Sequence, residues 1–441
     1  MNVTGNRLNS ANERYAIFTL TCIMLMVTII LLYPDTPSSN DLIFSGARIS
    51  IVKIILASFS VPVVIYIILN SGRLHFQYLD AALFAFSSFF IVRGILAAQT
   101  FNETGRIIVY FGLAAVIYYG MSILCQKRAF LRFVFFFLGV IGVIISIYAL
   151  LEFSLRHNML YEGLDLAKKN ADFYRSGSTF AHPVILGLFL VQVAPFLVFL
   201  FSQENRYRMR IFYLNTIVIL TLALGVTFSK SAWATAIVCI VVLSIWVVWK
   251  KTNSRKLLLI LFIAIAVTFS FFSISLSGTV SSALFSAQRN AESYSLRKYV
   301  WSIAPAAFIQ KPLTGFGMWQ GAHALTVMEP SEKGNNALQG KYPIDNLYLT
   351  TLVEEGLIGS ALLAASLFLI FYNGIRTFML GMRYHSWCIP LLVSLFAVLF
   401  EGLFFDSLMV RQNMIIFWLS AGILRSLELS VNETEAAFIA R

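Results

Sequence analysis

Residues 183–201 read PVILGLFLVQVAPFLVFLF, a stretch without a single charged side chain. As an α-helix rising 1.5 Å per residue it is about 28 Å long, close to the ~30 Å hydrocarbon core of a bilayer. Other apolar stretches of roughly 18 to 25 residues, each long enough to span that core, recur on both sides of it. This recurrence predicts a chain that crosses a membrane many times.

The composition indicates the same class. Hydrophobic residues make up 59% of the 441 positions and charged residues 12%, whereas soluble globular domains carry about 25% charged residues. Closed β-barrels, the other structures that span membranes, have short segments of alternating hydrophobicity instead. We therefore predict an all-α polytopic membrane protein in which residues 1–441 form a single integral membrane domain.

Twelve candidate spans follow from the apolar blocks. They are Tyr15–Leu32, Ile49–Leu69, Tyr78–Ala98, Arg106–Cys125, Phe130–Glu152, Pro183–Phe201, Ile211–Phe228, Ala232–Trp249, Leu257–Leu276, Asn346–Tyr372, Trp387–Phe404 and Met409–Leu427. The third has the weakest pattern because Asp80 and Arg93 interrupt it. The first has no small-residue cleavage pattern behind it, so we expect it to remain as a helix.

The basic residues lie mostly in short connectors between the apolar blocks. With twelve spans, one side of the membrane receives 17 Lys and Arg against five acidic residues, at positions 7–14, 73, 127–132, 204–210, 250–256, 376–383 and 425–441. Short basic connectors face the cytoplasm, so both termini are predicted to be cytoplasmic. Orientation thus accounts for the net charge of +12 without a nucleic-acid partner.

The opposite side receives two long segments, residues 153–182 and 277–345. We interpret residues 277–345 as a large periplasmic loop between the ninth and tenth membrane helices. A loop of this length between membrane helices is usually functional, so the chemistry is expected there.

Basic residues on that side are candidates for binding phosphate. Arg289 and Arg297 lie in the long loop, and the guanidinium fork matches phosphate oxygens bidentately. On composition alone, pairing with lipid phosphates or solvation is the stronger alternative. Lys230 lies in a short turn near headgroup level, where it would meet a lipid-linked phosphate or simply extend to the interface.

Acidic residues near the predicted tenth span have two interpretations each. Asp345 directly precedes the helix, so it is either the N-cap or a general base. Glu354 and Glu355 stand before Gly356; carboxylates at that depth are functional or paired, or they face a water-filled cavity.

Other charged residues lie in or beside spans. The charges of Lys53, Arg93, Glu401 and Asp406 are expected to pair across the helices, with partners left open, and His182 alone indicates little. Gly315, Gly317 and Gly321 miss the GxGxxG spacing of a dinucleotide loop and instead predict a tight turn packed against the bilayer surface.

No metal motif or disulfide framework stands out. The five histidines are scattered, no Asp-x-Asp pair occurs, and the four cysteines have no CxxC spacing. We therefore predict a protein without a metal ion.

Four stretches occur in order on the predicted outer side. They are residues 175–183 (RSGSTFAHP), 228–233 (FSKSAW), 297–301 followed by 311–317 (RKYVW and KPLTGFG), and 345–359 (DNLYLTTLVEEGLIG). Together they resemble the R-x-G-x-F-x-x-P, T-x-S-R-[GS]-A-W, R-x-x-x-W with hPLxGxG, and HNxYLxxLxExGLxG patterns of the O-antigen ligase and Wzy-type polymerase superfamily. The resemblance covers roughly residues 175–372 and, with the spans, the general layout of the chain.

The resemblance implies a membrane glycosyltransferase that needs neither a metal ion nor a cofactor. Its donor and acceptor would be undecaprenyl-diphosphate-linked glycans at the periplasmic face of the bacterial inner membrane. Membrane lipids, a chain-length regulator and a flippase are further candidate partners. Carried over by position, the catalytic residues are Asp345 and Arg297, and the substrate-binding residues are Arg175, Lys230, Arg289, Asn346 and Tyr348.

Two positions depart from the pattern of the ligases. Lys230 replaces the usual arginine, and Asp345 replaces the histidine that ligases typically carry. Aspartate is more like the polymerases of O-antigen, capsule or exopolysaccharide repeat units, so we favour a polymerase over a ligase that transfers glycan to the lipid A core. A transporter of lipid-linked oligosaccharide is less favoured, because no internal repeat is found.

Overall fold

The structure is a computed structural model, and nearly all of the chain that it describes is helical. It describes all residues except 1–2, 33–41, 45–46, 50, 75, 99, 161–173, 181, 250–286, 329–343, 381–384 and 440–441. Thirteen α-helices lie in this described part: α1 (Val3–Leu32), α2 (Ile51–Leu69), α3 (Tyr78–Ala97), α4 (Phe101–Leu124), α5 (Arg128–Leu155), α6 (Pro183–Gln203), α7 (Tyr207–Thr227), α8 (Lys230–Trp249), α9 (Ala287–Gln310), α10 (Gly321–Met328), α11 (Leu347–Met379), α12 (His385–Glu401) and α13 (Arg411–Ile439).

Two short strands and two short 3-10 helices complete the described elements. Strands β1 (Leu42–Phe44) and β2 (Ala47–Ile49) pair antiparallel, with Leu42 opposite Ile49. The 3-10 helices are Ser71–Arg73 and Ser178–Phe180.

The helices follow the apolar blocks of the sequence. Eleven predicted spans coincide with α1–α8 and α11–α13, and the ninth, residues 257–276, lies outside the described residues. Eight helices of the described part are long and apolar enough to cross a membrane, and α2, α8 and α12 contain shorter apolar segments. The polytopic all-α membrane fold is therefore confirmed.

The charge-free residues 183–201 lie in α6, one of the most buried spans. α6 packs against α5, α7, α8 and α12, and its Phe196 ring stacks on Phe135 of α5 at 4.5 Å between centroids. The charge-free sequence of α6 thus reflects contact with other helices on nearly every side as well as membrane thickness.

A buried cluster of charges joins α3 to α13. Arg425 of α13 donates to Asp80 at 2.9 Å and to Glu428 at 2.8 Å, and also to the side chain of Gln77. Because buried charges must be paired, this cluster explains how α3 tolerates Asp80.

α11 is broken at Gly356, where the backbone is non-helical, with φ 65° and ψ −165°. The segment Lys311–Gly317, here called the break segment, lies against this point. Four backbone hydrogen bonds join the two: Phe316 N to Val353 O (3.1 Å), Gly317 N to Glu354 O (2.6 Å), Leu357 N to Pro312 O (2.8 Å) and Ile358 N to Leu313 O (3.1 Å). The break is tolerated because the exposed backbone groups find partners in the protein.

The break segment contains the predicted turn, but the turn packs against α11 itself. Gly315 and Gly317 have positive φ, 61° and 104°. A Cβ at Gly315 would lie 2.2 Å from the carbonyl oxygen of Glu354, so both the backbone conformation and the close contact require glycine.

We expect Gly315→Ala to destabilise the protein by about 1–3 kcal/mol, because alanine is strained at this φ and collides with α11. The change should appear as a lower thermal unfolding midpoint in detergent. Gly112→Ala is the matched control, since a Cβ at Gly112 meets nothing within 4 Å. Equal midpoints for the two variants would contradict the tight backbone contact.

Candidate functional site

Arg297 and Asp345 form an ion pair at one end of the helix bundle, here called the loop side, which also carries residues 311–320 and 402–410. Nη2 of Arg297 lies 3.5 Å from Oδ2 of Asp345, and the two side chains are 40% and 24% exposed. Arg297 and Asp345 are 48 positions apart in the sequence, at the two ends of the motif-bearing part of the loop. In the structure they meet at a place that solvent reaches.

Packing between α9 and the start of α11 holds this pair. Nε1 of Trp301 donates to the carbonyl oxygen of Ile344 at 2.8 Å, one residue before Asp345. A small hydrophobic cluster lies beneath it and includes Val300, Ile344 and Val353, together with Phe316 of the break segment. Burial of these side chains fixes α9 against the part of α11 before Gly356, residues 347–355, here called its outer half.

The interpretation of Asp345 as the N-cap of α11 is wrong, because Asn346 holds that position. Oδ1 of Asn346 accepts hydrogen bonds from the N–H groups of Tyr348 (3.1 Å) and Leu349 (3.0 Å). Asp345 instead has φ 52°, in the left-handed region. Its carboxylate is therefore not used for capping and faces Arg297.

A second carboxylate, that of Asp406, lies beside Asp345. Oδ1 of Asp406 accepts from Oγ1 of Thr350 at 2.6 Å, and Asp406 also accepts from the backbone N–H of Asn346. Burial, together with the charge of Asp345, raises the pKa of Asp406 to about 6. Burial also raises the pKa of Asp345, against the opposing effect of the Arg297 charge.

Arg175 and Lys230 come together at the turn between α7 and α8. Nε of Arg175 donates to the carbonyl oxygen of Thr227 at 3.0 Å, and the neighbouring Ser176 N–H donates to Val226 at 3.1 Å. Lys230 is exposed at the first position of α8. Two predicted phosphate ligands from separate motifs are thus held by one backbone turn.

The segment that carries Arg175 is fixed by Glu152, near the end of α5. The Glu152 carboxylate is 3% exposed and accepts five hydrogen bonds. The donors are Asn158 Nδ2 (3.0 Å), Tyr174 OH (2.6 Å), Ser176 Oγ, Gly177 N (3.3 Å) and Ser178 N (2.6 Å). One buried carboxylate thus orders the backbone on both sides of Arg175.

His182 connects Arg175 with the loop after α12. Its ring stacks on Phe405 with centroids 5.5 Å apart, next to Asp406. Burial, together with the charge of Arg175, lowers the pKa of His182 to about 4, so the ring is neutral at neutral pH.

Glu401, at the end of α12, connects the second turn of α8 with α9. Its Oε2 accepts from Oγ1 of Thr235 at 2.6 Å, and it interacts electrostatically with Arg297. The Lys230 end of α8 and the Arg297 pair therefore lie on the same side of the molecule, around the residues 401–406.

The remaining predicted residues are placed as follows. Arg289 lies in the first turn of α9, two turns before Arg297, and its side chain is outside the described residues. Both ends of the Asn346 amide are used inside the protein, since Nδ2 donates to Leu403 at 3.0 Å. The Tyr348 hydroxyl donates to the carbonyl oxygen of Leu399 at 2.7 Å, although the residue is 41% exposed.

Two contributors were not predicted as site residues. From the sequence, Asp406 is only a charged residue beside a predicted span, and Glu152 is only the last residue of the predicted fifth span. The available signal was their position, because both are carboxylates at the loop-side end of an apolar block. Among the residues that the structure describes, no three His, Cys, Asp or Glu side chains group as a metal site would require.

Residues 215–364 match the family model of the O-antigen ligase domain, Wzy_C. The resemblance to the O-antigen ligase and Wzy-type superfamily is thereby confirmed. The match includes Lys230, Arg297, Asp345 and the break at Gly356, whereas Arg175 and Asp406 lie outside it. It supports a membrane glycosyltransferase-like function of the ligase or polymerase type in general. No curated protein matches the chain.

We expect Asn346→Ala to lower stability by about 0.5–2 kcal/mol, because the helix loses its cap. Asp345→Asn should leave the thermal midpoint nearly unchanged, since Asp345 caps nothing. The measurement is thermal unfolding of both variants in the same detergent. A larger decrease of the thermal midpoint in Asp345→Asn than in Asn346→Ala would contradict the assignment of Asn346 as the N-cap.

Asp406→Asn should stabilise the protein increasingly as the pH rises. The pKa of Asp406 is raised from 3.8 to about 6 on folding, so the folded state prefers the protonated acid. Its stabilising contribution is complete below pH 4 and is lost as the pH passes 6, whereas asparagine does not titrate.

The thermal midpoints of wild type and Asp406→Asn are compared from pH 4 to pH 7. Their difference should grow in favour of the variant between about pH 4 and pH 6 and then level off. Glu13→Gln, which changes a carboxylate that is 57% exposed, serves as the control. A difference that does not vary with pH would refute the raised pKa.

Proposed function

We propose that this protein polymerises glycan repeat units by transferring them from a polyprenyl-diphosphate carrier. The observation that carries the proposal is the Arg297–Asp345 ion pair, solvent-accessible at the loop side of a membrane bundle and inside the family match. An inner-membrane location, with the loop side facing the periplasm and both termini in the cytoplasm, is part of the proposal and rests on the distribution of basic connectors.

In the proposed reaction, a hydroxyl of the acceptor sugar attacks the anomeric carbon of the donor. A new glycosidic C–O bond forms, and the bond between the anomeric carbon and the phosphate oxygen breaks. The polyprenyl diphosphate leaves with the bonding electrons. The hydroxyl proton passes to a carboxylate of the protein or to the leaving group.

Arg297 is suited to stabilise the leaving diphosphate. Its guanidinium carries five N–H donors, and the contact to Asp345 is a single one of 3.5 Å. Donors therefore remain for phosphate oxygens while the charge develops in the transition state. Arg175, Lys230 and Arg289 would add positive charge around the same substrate.

Asp345 is suited to accept the proton. It is freed from capping by Asn346, and burial raises its pKa above that of an ordinary aspartate. Asp406 lies close enough for its charge to interact with that of Asp345, so the two carboxylates would titrate as a coupled pair.

The choice of a polymerase over a ligase rests on Asp345, at the position where ligases typically carry histidine. A neutral histidine and an aspartate both serve as bases, so the ligase remains the alternative function. The acceptor distinguishes the two: a growing lipid-linked glycan for the polymerase and a finished lipid A core for the ligase.

Deletion of the gene should leave lipid-linked single repeat units and no long chains, because polymerisation is the step removed. Glycolipids separated on a gel provide the measurement. Full-length polymer retained on the lipid carrier would contradict the polymerase and indicate the ligase. Unchanged surface glycan and lipid-linked intermediates would refute both.

Complementation with Arg297→Ala should fail to restore long chains, with a loss of at least about 100-fold, since transition-state charge is no longer stabilised. Lys298→Ala is the matched control, because Lys298 is an exposed cation at the next position of α9. Protein amounts in the membrane are compared by immunoblot. Glycan chains of wild-type length and amount from the Arg297→Ala variant would show that Arg297 does not act in the transfer.

A further inference from the structure

Arg93 is a charged residue within the membrane helix α3 that contacts the break segment. Its Nε donates to the carbonyl oxygen of Thr314 at 3.0 Å, and its Nη2 donates to that of Gly315 at 2.8 Å. These partners lie more than 220 positions away in the chain. A charge in a membrane helix is costly, so such a contact requires a reason.

We propose that Arg93 is a positioning residue for the candidate active site. By holding the break segment in the gap of α11, it fixes the unit formed by α9, α10 and the outer half of α11 relative to the membrane helices. This role rests on the proposed function, since it concerns the residues that would carry out the transfer.

The break segment lies at the junction of the two helices that carry the ion pair. α9 ends at Gln310, immediately before Lys311, and the outer half of α11 ends at Gly356. Asp345 is 11 positions from that glycine, or about 16 Å along a helix. A tilt of about 10° at the break would therefore displace Asp345 by about 3 Å, and a misplacement of about 1 Å can slow a reaction 100-fold.

Arg93 is held in place by more than the two carbonyl groups. It interacts electrostatically with Glu355, a fully buried acidic residue immediately before Gly356. Neither oxygen of Glu355 has a hydrogen-bond partner. The positive charge of Arg93 is thus placed where two backbone dipoles and a buried acid favour it.

Glu354 fixes the remainder of the same loop and completes the arrangement. Its carboxylate accepts from Trp319 N and Gly321 N, both at 2.9 Å, at the start of α10. The break segment is therefore held by the backbone of α11 and by Arg93 of α3, and Glu354 holds the residues that follow it.

Distances between spin labels at Ser302→Cys and Leu155→Cys test the position of α9 relative to the loop-side end of the membrane helix α5. Both residues are exposed, and the four native cysteines are buried and react poorly with the label. The full-length protein in detergent is measured by double electron–electron resonance. Arg93→Ala should broaden the distribution or shift it by about 2 Å, because Ser302 is nine positions from Lys311, or about 14 Å along a helix, and a tilt of about 10° displaces it by that amount.

Arg106→Ala is the matched control, because Arg106 is an exposed arginine near the same end of the neighbouring helix α4. It should give the wild-type distribution. Arg93→Lys keeps the positive charge but loses the two-pronged guanidinium group, so its distance distribution should lie between those of the wild type and Arg93→Ala. A wild-type distribution for Arg93→Ala would overturn the proposal.

A transfer assay uses the lipid-linked glycan extracted from the deletion strain as its substrate. Arg93→Ala should lower kcat at least about tenfold with a smaller effect on KM, because Arg93 positions reacting groups without binding substrate. An unchanged kcat would also overturn the proposal. If wild type transfers no glycan, the proposed function fails, and the label distances alone decide whether Arg93 fixes the loop unit.

Discussion

Hydrogen bonds between two irregular backbone segments, at the break in α11, are the constraint on which the loop side depends. A helix interrupted inside an apolar bundle leaves N–H and C=O groups that cannot reach water. Here the break segment supplies their partners, and glycines at 315 and 356 allow the two backbones to approach. Because α9 and the outer half of α11 both end at this junction, the same bonds help to determine where Arg297 and Asp345 meet.

The charges around this junction are divided by burial. The carboxylates of Glu152, Glu354 and Glu401 are buried and engaged with the protein, where they order loops and helix ends. The cations Arg297 and Lys230 reach solvent. Asp345 is the exception, since its partly exposed carboxylate pairs with Arg297. Cations that reach solvent while most nearby acids are buried favour an anionic ligand on this side, as the proposed reaction requires.

Hydropathy predicted the helices because membrane thickness and side-chain polarity act on each segment separately. The motifs likewise brought Arg297 and Asp345 into one hypothesis. What the sequence could not provide were contacts between distant segments: Arg93 with Thr314, and Asp406 with Thr350. The cap interpretation of Asp345 was wrong by one residue because Asp and Asn are equally good caps; the hydrogen bonds of Asn346 and the left-handed backbone of Asp345 distinguish them.

The charges of α3 also bear on how the chain enters the membrane. The partner of Asp80 is Arg425, which is synthesised 345 residues later, and the first carbonyl partner of Arg93 is that of Thr314, 221 residues later. Each such side chain opposes insertion by about 2.5–3.5 kcal/mol at the centre of a lone helix and less near its ends. During synthesis α3 therefore has neither partner, and its stable integration depends on late assembly with the C-terminal helices, which makes the biogenesis of this protein sensitive to truncation far from the site.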